Sequence, residues 1–507
     1  MSIPFSPWII PLFIILLPIL TKLISKTFLR PFSKQKLPPG PSKLPIIGNL
    51  HQLASKTTPP PQRLQELAKI YGPIMHLRLG EVPTIVISSA EVAKDILRTH
   101  DTNFANRPKL LAAKVMYYGC TDIALAPYGE YWRQVRKIAT VELLTVKRVQ
   151  SFRVMREEEV CRFVEGIALE SKVGDGCVNL SELLFGLLFN LTSRVVFSKR
   201  GIDQAAFRDL ITKMSKAFSG FAIEDIFPSM KLLHSIGGMK KMLKEMAQES
   251  NRLLDPIVNG HKSNIKTEEN LVDVLMKFHQ DNVLDSSEFS LSTNNIKAII
   301  LEIFGAGSET SSTTIEWAMS ELLKNPKAMK KAQEEVRRVY NGYKTIDETK
   351  LEELKYLKSV IKESLRLHPP VPLLVPRESI EDCQIQGYDI PSKTRVIMNA
   401  YAIGRDPNYW PDSNVFKPER FENSSIDFKG NDFELIPFGA GRRMCPGLTL
   451  GVANVELPLA MLLYHFDWKL PNGMKAEDLD MDELFGITMR RKNDLLIIPI
   501  PYSSFVM

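Results

Sequence analysis

One cysteine, Cys445, stands in a setting that suits metal chemistry, within residues 438–447, which read FGAGRRMCPG. A thiolate rather than a thiol binds metal, and nearby cations favour the ionised sulfur by lowering its pKa. Glycines in the same loop allow the backbone to turn and to approach a flat cofactor closely. A lone cysteine is more often a small buried apolar residue, but that alternative leaves the spacing of the aromatic residue, glycines and arginines unexplained. Residues 438–447 therefore predict a thiolate that ligates a metal.

A second group of polar residues lies inside a predicted helix over residues 294–324. Gly305 and Gly307 each cost about 1 kcal/mol relative to alanine at a helix centre, and close approach to a flat ligand is one reason to accept that cost. Glu309 and Thr310 follow, so an acid stands beside a hydroxyl. The alternative is a kinked helix whose Ser and Thr hydroxyls bond back to their own carbonyls, and this segment alone leaves both interpretations open.

Residues 438–447 resemble the haem-binding loop of the cytochrome P-450 family, whose pattern is Phe-x-x-Gly-x-Arg-x-Cys-x-Gly. All five fixed positions match, at Phe438, Gly441, Arg443, Cys445 and Gly447. The resemblance implies that haem b is the cofactor and that Cys445 is the axial ligand of its iron. A thiolate in that position pushes electron density onto the iron and favours cleavage of the O–O bond.

The same family carries the pattern Ala/Gly-Gly-x-Asp/Glu-Thr-Thr/Ser in its central helix. Ala306, Gly307, Glu309, Thr310 and Ser311 match it in order. The match implies that Thr310 steadies dioxygen and water during the reaction, and that Glu309 helps to relay protons to the oxygen. The acid is Glu where Asp is commoner, which changes its reach but not its chemical class.

Further matches imply residues that hold the haem propionates. Trp132 and Arg136 follow the family's Trp-x-x-x-Arg pattern and lie one helical turn apart. Indole and guanidinium N–H groups are suitable donors to carboxylates. Arg377 and Arg443 match other positions that contact the propionates, and Phe438 belongs to the same cofactor-binding set. For each arginine the alternative is a solvated surface charge.

A charged pair, Glu363 and Arg366, lies three residues apart on one face of a predicted helix. Such pairs are common and by themselves indicate little. In the resembled family, however, a Glu-x-x-Arg pair meets a downstream arginine, which corresponds to Arg420 here. The match implies a structural triad that holds the core around the haem, so neither Glu363 nor Arg366 is assigned a catalytic role.

The amino terminus predicts a membrane anchor. Residues 3–20 are apolar and uncharged, and five basic residues follow them between 22 and 36. About 20 apolar residues span a bilayer as a helix, and positive charges after the helix place the rest of the chain in the cytosol. A cleaved signal peptide, the alternative, requires preceding charges and a small-residue cleavage site, which are absent. We therefore divide the chain into an anchor (1–21), a basic and proline-rich hinge (22–41) and a haem-binding monooxygenase domain (42–507).

The composition of the chain indicates its cellular compartment and the kinds of partner that it can bind. The chain has 507 residues, 44% of them hydrophobic, and a formal net charge of +7. Its five cysteines show no paired spacing, which argues against a disulfide framework and favours a reducing compartment. The charge is compatible with an anionic membrane face or an acidic protein partner. No dense Lys/Arg tract indicates nucleic acid as a partner.

Periodicity predicts a mainly α chain with a small β portion, and the resemblance implies the cytochrome P-450 fold from about residue 35 to the end, preceded by one transmembrane helix. Predicted strands cover 74–78, 84–88 and 495–500, and predicted helices cover 131–149, 239–254, 294–324, 355–367 and 447–464. Polar stretches at 261–270 and 280–290 are expected to be surface loops.

Taken together, the matches imply a haem-thiolate monooxygenase of the plant microsomal type in the endoplasmic reticulum membrane. It would insert one oxygen atom from O2 into an apolar small molecule, with electrons from NADPH through a separate flavoprotein, the NADPH–cytochrome reductase. The segments that resemble the family's substrate-facing regions are apolar, which favours an apolar substrate, although core packing explains them equally well. These segments are 110–125, 218–226, 299–307, 371–375 and 484–488. The resemblance to plant members that act in specialised metabolism favours a terpenoid, ahead of an alkaloid or a phenolic scaffold.

Two other classes fit parts of the sequence. One is a haem-thiolate isomerase or dehydratase that needs neither O2 nor a reductase, and the other is a non-catalytic haem-binding membrane protein. The first would tolerate loss of the acid and hydroxyl at Glu309 and Thr310, yet both residues are intact.

Overall fold

The computed structural model describes residues 35–502 apart from 56, 175, 199–202, 219–221, 231–237, 260–269, 281–289 and 342–346. The predicted anchor and the basic part of the hinge therefore lie outside the described residues, as do nearly all of the two predicted polar loops. The described proline-rich end of the hinge packs against the body of the domain. The His76 N–H donates to the Pro39 carbonyl at 2.8 Å, and the Asn49 side chain donates to the Pro41 carbonyl at 3.1 Å.

Helices dominate the described part of the chain, as predicted. They are α1 (Leu50–Leu53), α2 (Pro60–Tyr71), α3 (Ala90–Lys94), α4 (Leu111–Met116), α5 (Glu130–Ile138), α6 (Val146–Ser151), α7 (Arg153–Glu170), α8 (Leu180–Phe197), α9 (Gln204–Ala217), α10 (Ile223–Ile226), α11 (Met239–Asn259), α12 (Leu271–Gln280), α13 (Thr293–Lys324), α14 (Pro326–Val339), α15 (Lys355–Leu367), α16 (Ala400–Ile403) and α17 (Leu448–His465).

The strands are short and form small sheets. They are β1 (Ile74–Leu79), β2 (Val82–Ile87), β3 (Val178–Asn179), β4 (Arg377–Glu378), β5 (Cys383–Ile385), β6 (Tyr388–Ile390), β7 (Arg395–Met398), β8 (Phe466–Lys469), β9 (Glu483–Leu484), β10 (Arg490–Arg491) and β11 (Leu496–Pro501). One sheet has the order β1-β2-β7-β4, in which β2 and β7 run parallel. Another places β11 between β3 and β8, and β5/β6 and β9/β10 form two-stranded pairs.

The longest helix, α13, runs through the middle of the domain. Ser292 and Asn295 form a reciprocal capping box at its start, and Asn325 followed by Pro326 ends it. It packs against α8 on one side and against α17 on another. From Ser311 to Leu323 its side chains are buried, so this half of the helix is surrounded by protein on all sides.

Three predicted boundaries are wrong for local reasons. The predicted helix over 131–149 is divided, because a π-helical turn over Ala139–Leu143 ends it and the Thr145 side chain caps a new helix. The predicted end before Pro256 is passed by α11, whose buried residues continue to Val258. Pro83 lies inside β2 rather than before it, at a position where β2 pairs with β1 but not with β7.

Candidate active site

Residues 438–447 form a tight loop that ends where α17 begins. The Cys445 N–H donates to the Phe438 carbonyl at 2.9 Å and closes the loop. Gly439 and Gly441 have φ of 70° and 69°, the left-handed region that favours glycine. A Cβ at Gly441 would lie 2.4 Å from the Leu97 carbonyl oxygen. At this position the close approach that we expected toward a cofactor is instead toward a neighbouring backbone segment.

The Cys445 thiol faces a space inside the molecule. Its side chain is accessible, yet enough protein surrounds it for burial to raise the pKa of the thiol. The Gly447 N–H and the Arg136 guanidinium act in the opposite direction and favour the thiolate. The expectation that cations would leave this thiol with a lowered pKa is therefore wrong for the loop alone. Coordination to a metal removes the proton outright.

The central helix α13 lies near this thiol, because the charge of its Glu302 contributes to raising the pKa of Cys445. Ala306 is exposed although it lies near the middle of the most central helix. The Thr310 hydroxyl, one turn later, is also partly accessible and donates to the Ala306 carbonyl at 2.5 Å. Exposure in the middle of a packed helix indicates an internal space beside it. A flat cofactor with a ligand on one face and a reaction chamber on the other requires such a space.

Gly305 and Gly307 do not line that space in the way we expected. A Cβ at Gly305 would lie 3.3 Å from the Ile211 side chain on α9, and a Cβ at Gly307 would lie 3.3 Å from the Thr192 hydroxyl on α8. The two glycines therefore allow close packing of helices. The hydroxyls of Thr310 and of neighbouring residues do bond back to helix carbonyls, as the alternative interpretation predicted.

Four predicted haem-contacting residues lie around the loop and around residues 121–126. Arg443 donates to the Ala105 and Ala126 carbonyls at 2.8 and 2.6 Å and stacks over the Trp132 ring at 4.1 Å. The Trp132 indole N–H donates to the Ile123 carbonyl at 3.0 Å.

Arg136 and Arg377 bind the loop itself. Arg136 donates to the Met444 carbonyl at 2.6 Å, and Arg377 donates to the Ala440 carbonyl at 2.9 Å and to Asp101 at 3.2 Å. Phe438 is half-buried, and its ring lies 5.3 Å from that of Phe428. The cofactor-binding roles of these residues stay predictions.

The site fits a cofactor that carries negative charge. Arg107, Arg377 and Arg443 are buried near one another. Burial, together with the charge of Arg377, lowers the pKa of Arg443 to about 9, and burial also lowers the pKa of Arg107 and Arg377. Buried cations require anionic partners, and the two propionates of haem would supply them. When bound, haem supplies the redox chemistry that activates dioxygen at an iron held by the thiolate.

Sequence reasoning missed an acidic pair beside this site. The Glu302 carboxylate accepts N–H bonds from Ile123 and Ala124 at 2.6 and 2.9 Å, and so ties residues 121–126 to α13. Burial raises the pKa of Glu302 to about 8 and that of nearby Asp122 to about 6. The signal that could have revealed Glu302 is a single acid within the apolar stretch 299–304.

Glu309 precedes Thr310 on α13 and, like Thr310, is partly accessible. Burial raises the pKa of its carboxyl to about 7, while the Ser215 hydroxyl, the charge of Arg490 and the Thr488 hydroxyl act to lower it. The residue beside Thr310 is therefore an acid that exists in both protonation states near neutral pH.

The predicted triad of Glu363, Arg366 and Arg420 is present in the structure. Arg366 donates twice to Glu363, at 2.7 and 2.8 Å, and Arg420 donates at 2.9 Å. Arg366 also donates to the Gly404 and Ser413 carbonyls, both at 2.6 Å. This network fixes α15 to the irregular chain that precedes the Cys445 loop.

A mainly helical fold, in which a glycine-rich cysteine loop lies near a long central helix with an accessible hydroxyl, is typical of haem-thiolate enzymes. A sequence model described as Cytochrome P450 matches residues 38–498. The chain therefore belongs to the cytochrome P450 family. It is a haem-thiolate monooxygenase whose electrons come from NADPH through a reductase. The predicted family, fold, enzyme class and cofactor are confirmed.

Plant enzymes of known activity are similar along almost the whole chain. Desmethyl-deoxy-podophyllotoxin synthase of Sinopodophyllum hexandrum is 54% identical over 472 residues, covering 92% of each chain. Amorpha-4,11-diene 12-monooxygenase of Artemisia annua is 51% identical over 470 residues, covering 92% of this chain and 93% of the other. Premnaspirodiene oxygenase of Hyoscyamus muticus is 49% identical over 476 residues, with the same coverage.

A solved structure shows the same fold at much lower identity. A zebra fish cytochrome P450 with progesterone aligns with a TM-score of 0.73 and 24% identity, covering 88% of this chain and 100% of the other. At this identity the likeness concerns the fold alone.

Proposed function

We propose that this chain is a membrane-anchored monooxygenase of plant specialised metabolism that inserts one oxygen atom into an apolar terpenoid. The observation that carries the proposal is that the Cys445 thiol is accessible near the central helix, whose Glu302 charge acts on it, and that Ala306 and Thr310 on that helix are also accessible. The acid beside Thr310 supplies the proton chemistry that an O2-dependent reaction needs and that an isomerase or dehydratase does not.

The apolar character of the predicted substrate-facing segments supports an apolar substrate. Members of all five predicted substrate-facing segments pack into one apolar cluster, which includes Leu110, Phe218, Ile299, Val375 and Ile487. An apolar pocket binds a ligand by burying its apolar surface and excludes water. Two of the similar plant enzymes bear names of oxygenases acting on amorpha-4,11-diene and premnaspirodiene, which favours a terpenoid of that size over a phenolic or alkaloid scaffold.

In the proposed reaction the predicted site residues have different roles. Cys445 holds the iron, while Trp132, Arg136, Arg377 and Arg443 donate to the propionates when haem is bound, and Phe438 packs beside the loop. Thr310 orients dioxygen and water with its hydroxyl. Glu309 releases protons toward that hydroxyl and regains them, because its pKa of about 7 lies near the working pH.

The electron donor is proposed to dock beside the Cys445 loop. Arg442 is exposed on the loop, and Lys137 is exposed on the end of α5 that contacts the loop. Arg133, on the same helix, is exposed but paired with Glu130 at 2.6 Å. Positive charge at the surface nearest the haem suits an acidic flavoprotein reductase.

Residues 3–20 are proposed to anchor the protein in the endoplasmic reticulum membrane with the catalytic domain in the cytosol. Two described helices, α8 and α17, are also long and apolar enough to span a bilayer, but both lie in the domain core. Carbonate extraction of membranes tests the anchor: the full chain stays with the pellet, and a chain that begins at residue 35 is released. Release of the full chain would exclude a spanning anchor.

The substrate proposal is tested with the full chain in microsomes that contain a plant reductase. Sesquiterpene hydrocarbons, phenolics and alkaloids are supplied with and without NADPH, and products are identified by mass spectrometry. We expect a product 16 mass units heavier from a sesquiterpene, formed only with NADPH, and none from a Cys445→Ser variant. Turnover without NADPH would contradict a monooxygenase, and turnover of phenolics alone would contradict the substrate class.

A further inference from the structure

Residues 121–126 lie between α4 and α5 and belong to no helix or strand, so their backbone polar groups need partners from elsewhere. The N–H groups of Ile123 and Ala124 donate to the two carboxylate oxygens of Glu302 on α13, at 2.6 and 2.9 Å. Bonds from N–H groups to a charged carboxylate are stronger than bonds between neutral groups. One side chain therefore joins two successive N–H groups of this segment to the central helix.

The carbonyl side of the same segment is held by arginines. Arg443 donates to the Ala126 carbonyl at 2.6 Å and reaches the Ile123 carbonyl at 3.3 Å. Arg107 donates to the Ala124 carbonyl at 2.8 Å. The segment is thus fixed from two sides, and a change to the carboxylate leaves its carbonyl side attached.

The Glu302 side chain leaves α13 on the face that also carries Ala306 and Thr310, because helix residues four apart share a face. All three residues are at least partly accessible, although α13 is the central helix of the domain. Ile123 and Leu125 are buried in the apolar cluster that contains members of the predicted substrate-facing segments. The carboxylate therefore connects one of those segments to the helix face that carries the Thr310 hydroxyl.

We propose that Glu302 is a positioning residue that sets the distance between residues 121–126 and α13, and thereby fixes which part of an apolar substrate faces the reacting centre. The inference rests on the proposed monooxygenase function and deepens it. Without both carboxylate oxygens an N–H group of the segment loses its acceptor, which costs free energy while the group stays buried. The segment then moves away from α13, and the substrate is held less closely.

Two substitutions of Glu302 separate its charge from its length. Glu302→Gln has the same shape but presents one oxygen and one NH2 group to two N–H donors, so one donor is left without an acceptor. Glu302→Asp keeps both oxygens on a side chain that is shorter by one methylene. Glu316→Gln is the matched control, because Glu316 is a buried acid further along α13 whose carboxylate accepts a hydrogen bond from Ser181 on α8.

The first measurement is amide hydrogen exchange of the haem-loaded full chain, which reports local opening of the backbone. We expect the peptide that contains residues 121–126 to exchange several-fold faster in Glu302→Gln than in the native chain. The same peptide should exchange at the native rate in Glu316→Gln.

The second measurement is spectral titration of the same proteins with imidazole and with 4-phenylimidazole. Both compounds bind haem iron through a ring nitrogen, and the phenyl group of the second also occupies the space where a substrate would lie. We expect the dissociation constant of 4-phenylimidazole to rise several-fold in Glu302→Gln, while that of imidazole stays the same. If Glu302→Gln does not retain haem, Glu302→Asp provides both measurements.

Unchanged exchange of residues 121–126 in the Glu302 variants would overturn the inference. Faster exchange with an unchanged ratio of the two dissociation constants would overturn it as well, because the role of Glu302 would then be structural only. Neither measurement needs a substrate, NADPH or a reductase. A failure of the proposed function, seen as absent turnover in the native chain, is therefore distinguishable from a failure of this inference.

Discussion

Two adjacent residues, Glu309 and Thr310, face different surroundings because successive helix residues point about 100° apart. The Thr310 hydroxyl donates to the Ala306 carbonyl of its own helix, whereas burial raises the pKa of the Glu309 carboxyl to about 7. A hydroxyl at the reacting centre and an acid one residue behind it can divide oxygen binding from proton supply. Neither role requires the other side chain to move far.

Thr310→Ala should keep haem and weaken the use of electrons, because the variant loses the hydroxyl at the reacting centre but no buried contact outside its own helix. We expect a several-fold rise in hydrogen peroxide released per NADPH consumed, with a normal carbon monoxide difference spectrum. Thr314→Ala is the control, because its buried hydroxyl makes the same kind of bond, to the Thr310 carbonyl at 2.8 Å. Equal coupling in both variants would count against the role.

Individual site residues were predictable from the sequence where they belong to a motif. Residues whose role depends on contacts with distant parts of the chain were missed. Cys445, Glu309 and Thr310 were predicted from spacing alone or from the resemblance. Glu302 was missed because its function depends on N–H groups about 180 residues away in the chain. The role of the glycines at 305 and 307 was left open, because sequence does not show which helix passes closest.

At the scale of elements, ionic networks fix the helices around the site. The pair of Glu363 and Arg366 is fully buried, whereas Glu130 and Arg133 form a pair of the same spacing on the surface. Burial is what separates the two, because a buried charge that loses its partner keeps its desolvation cost. Sequence spacing alone does not distinguish them.

Glu363→Ala should therefore yield protein without haem or protein that does not fold. The change leaves Arg366 and Arg420 buried without their carboxylate, at a cost on the order of 3–5 kcal/mol. Glu130→Ala, which breaks the exposed pair, should leave haem content and thermal stability unchanged. Haem content per mole of purified protein measures both, and normal haem in Glu363→Ala would refute the structural role.

His368 should make stability depend on pH. Burial favours its neutral form, but a hydrogen bond to Glu321 at 2.7 Å and the carboxylate of Glu483 at 3.4 Å outweigh burial and raise its pKa. A raised folded pKa means that the stabilisation is complete below the unfolded value of about 6.5 and is lost as pH rises through the folded value. The denaturation midpoint should fall over that range in the native chain and fall less in His368→Gln. Parallel curves would contradict this.

Element boundaries were predictable where local signals and packing agree. The bounds of α15 match the predicted 355–367, because Pro369 and Pro370 follow its end, and α13 begins one residue before the predicted 294, where Ser292 caps it. Pro256 is a local stop signal, yet α11 continues past it. Its amphipathic face buries Leu253, Leu254 and Val258 on both sides of the proline, and this packing exceeds the loss of one backbone hydrogen bond.

At the scale of the whole molecule, two large apolar clusters hold the site between them. One joins α7, α8, α15 and α17 on the side of the Cys445 loop, and the other joins α4, α9, α11 and the first half of α13 on the side of the substrate-facing segments. Sequence motifs predicted the class of fold, because they occur in family order. They did not predict this division, which depends on which apolar faces meet.

The proposed chemistry depends on Cys445 holding haem iron as a thiolate. The carbon monoxide difference spectrum of the reduced, haem-loaded full chain tests it most directly, because the Soret band of the complex reports the axial ligand. We predict a shift to the position typical of thiolate ligation, which is lost in Cys445→Ser but kept in the control Cys161→Ser, a change at an exposed cysteine. Absence of the thiolate-type band in the haem-loaded native chain would contradict the account.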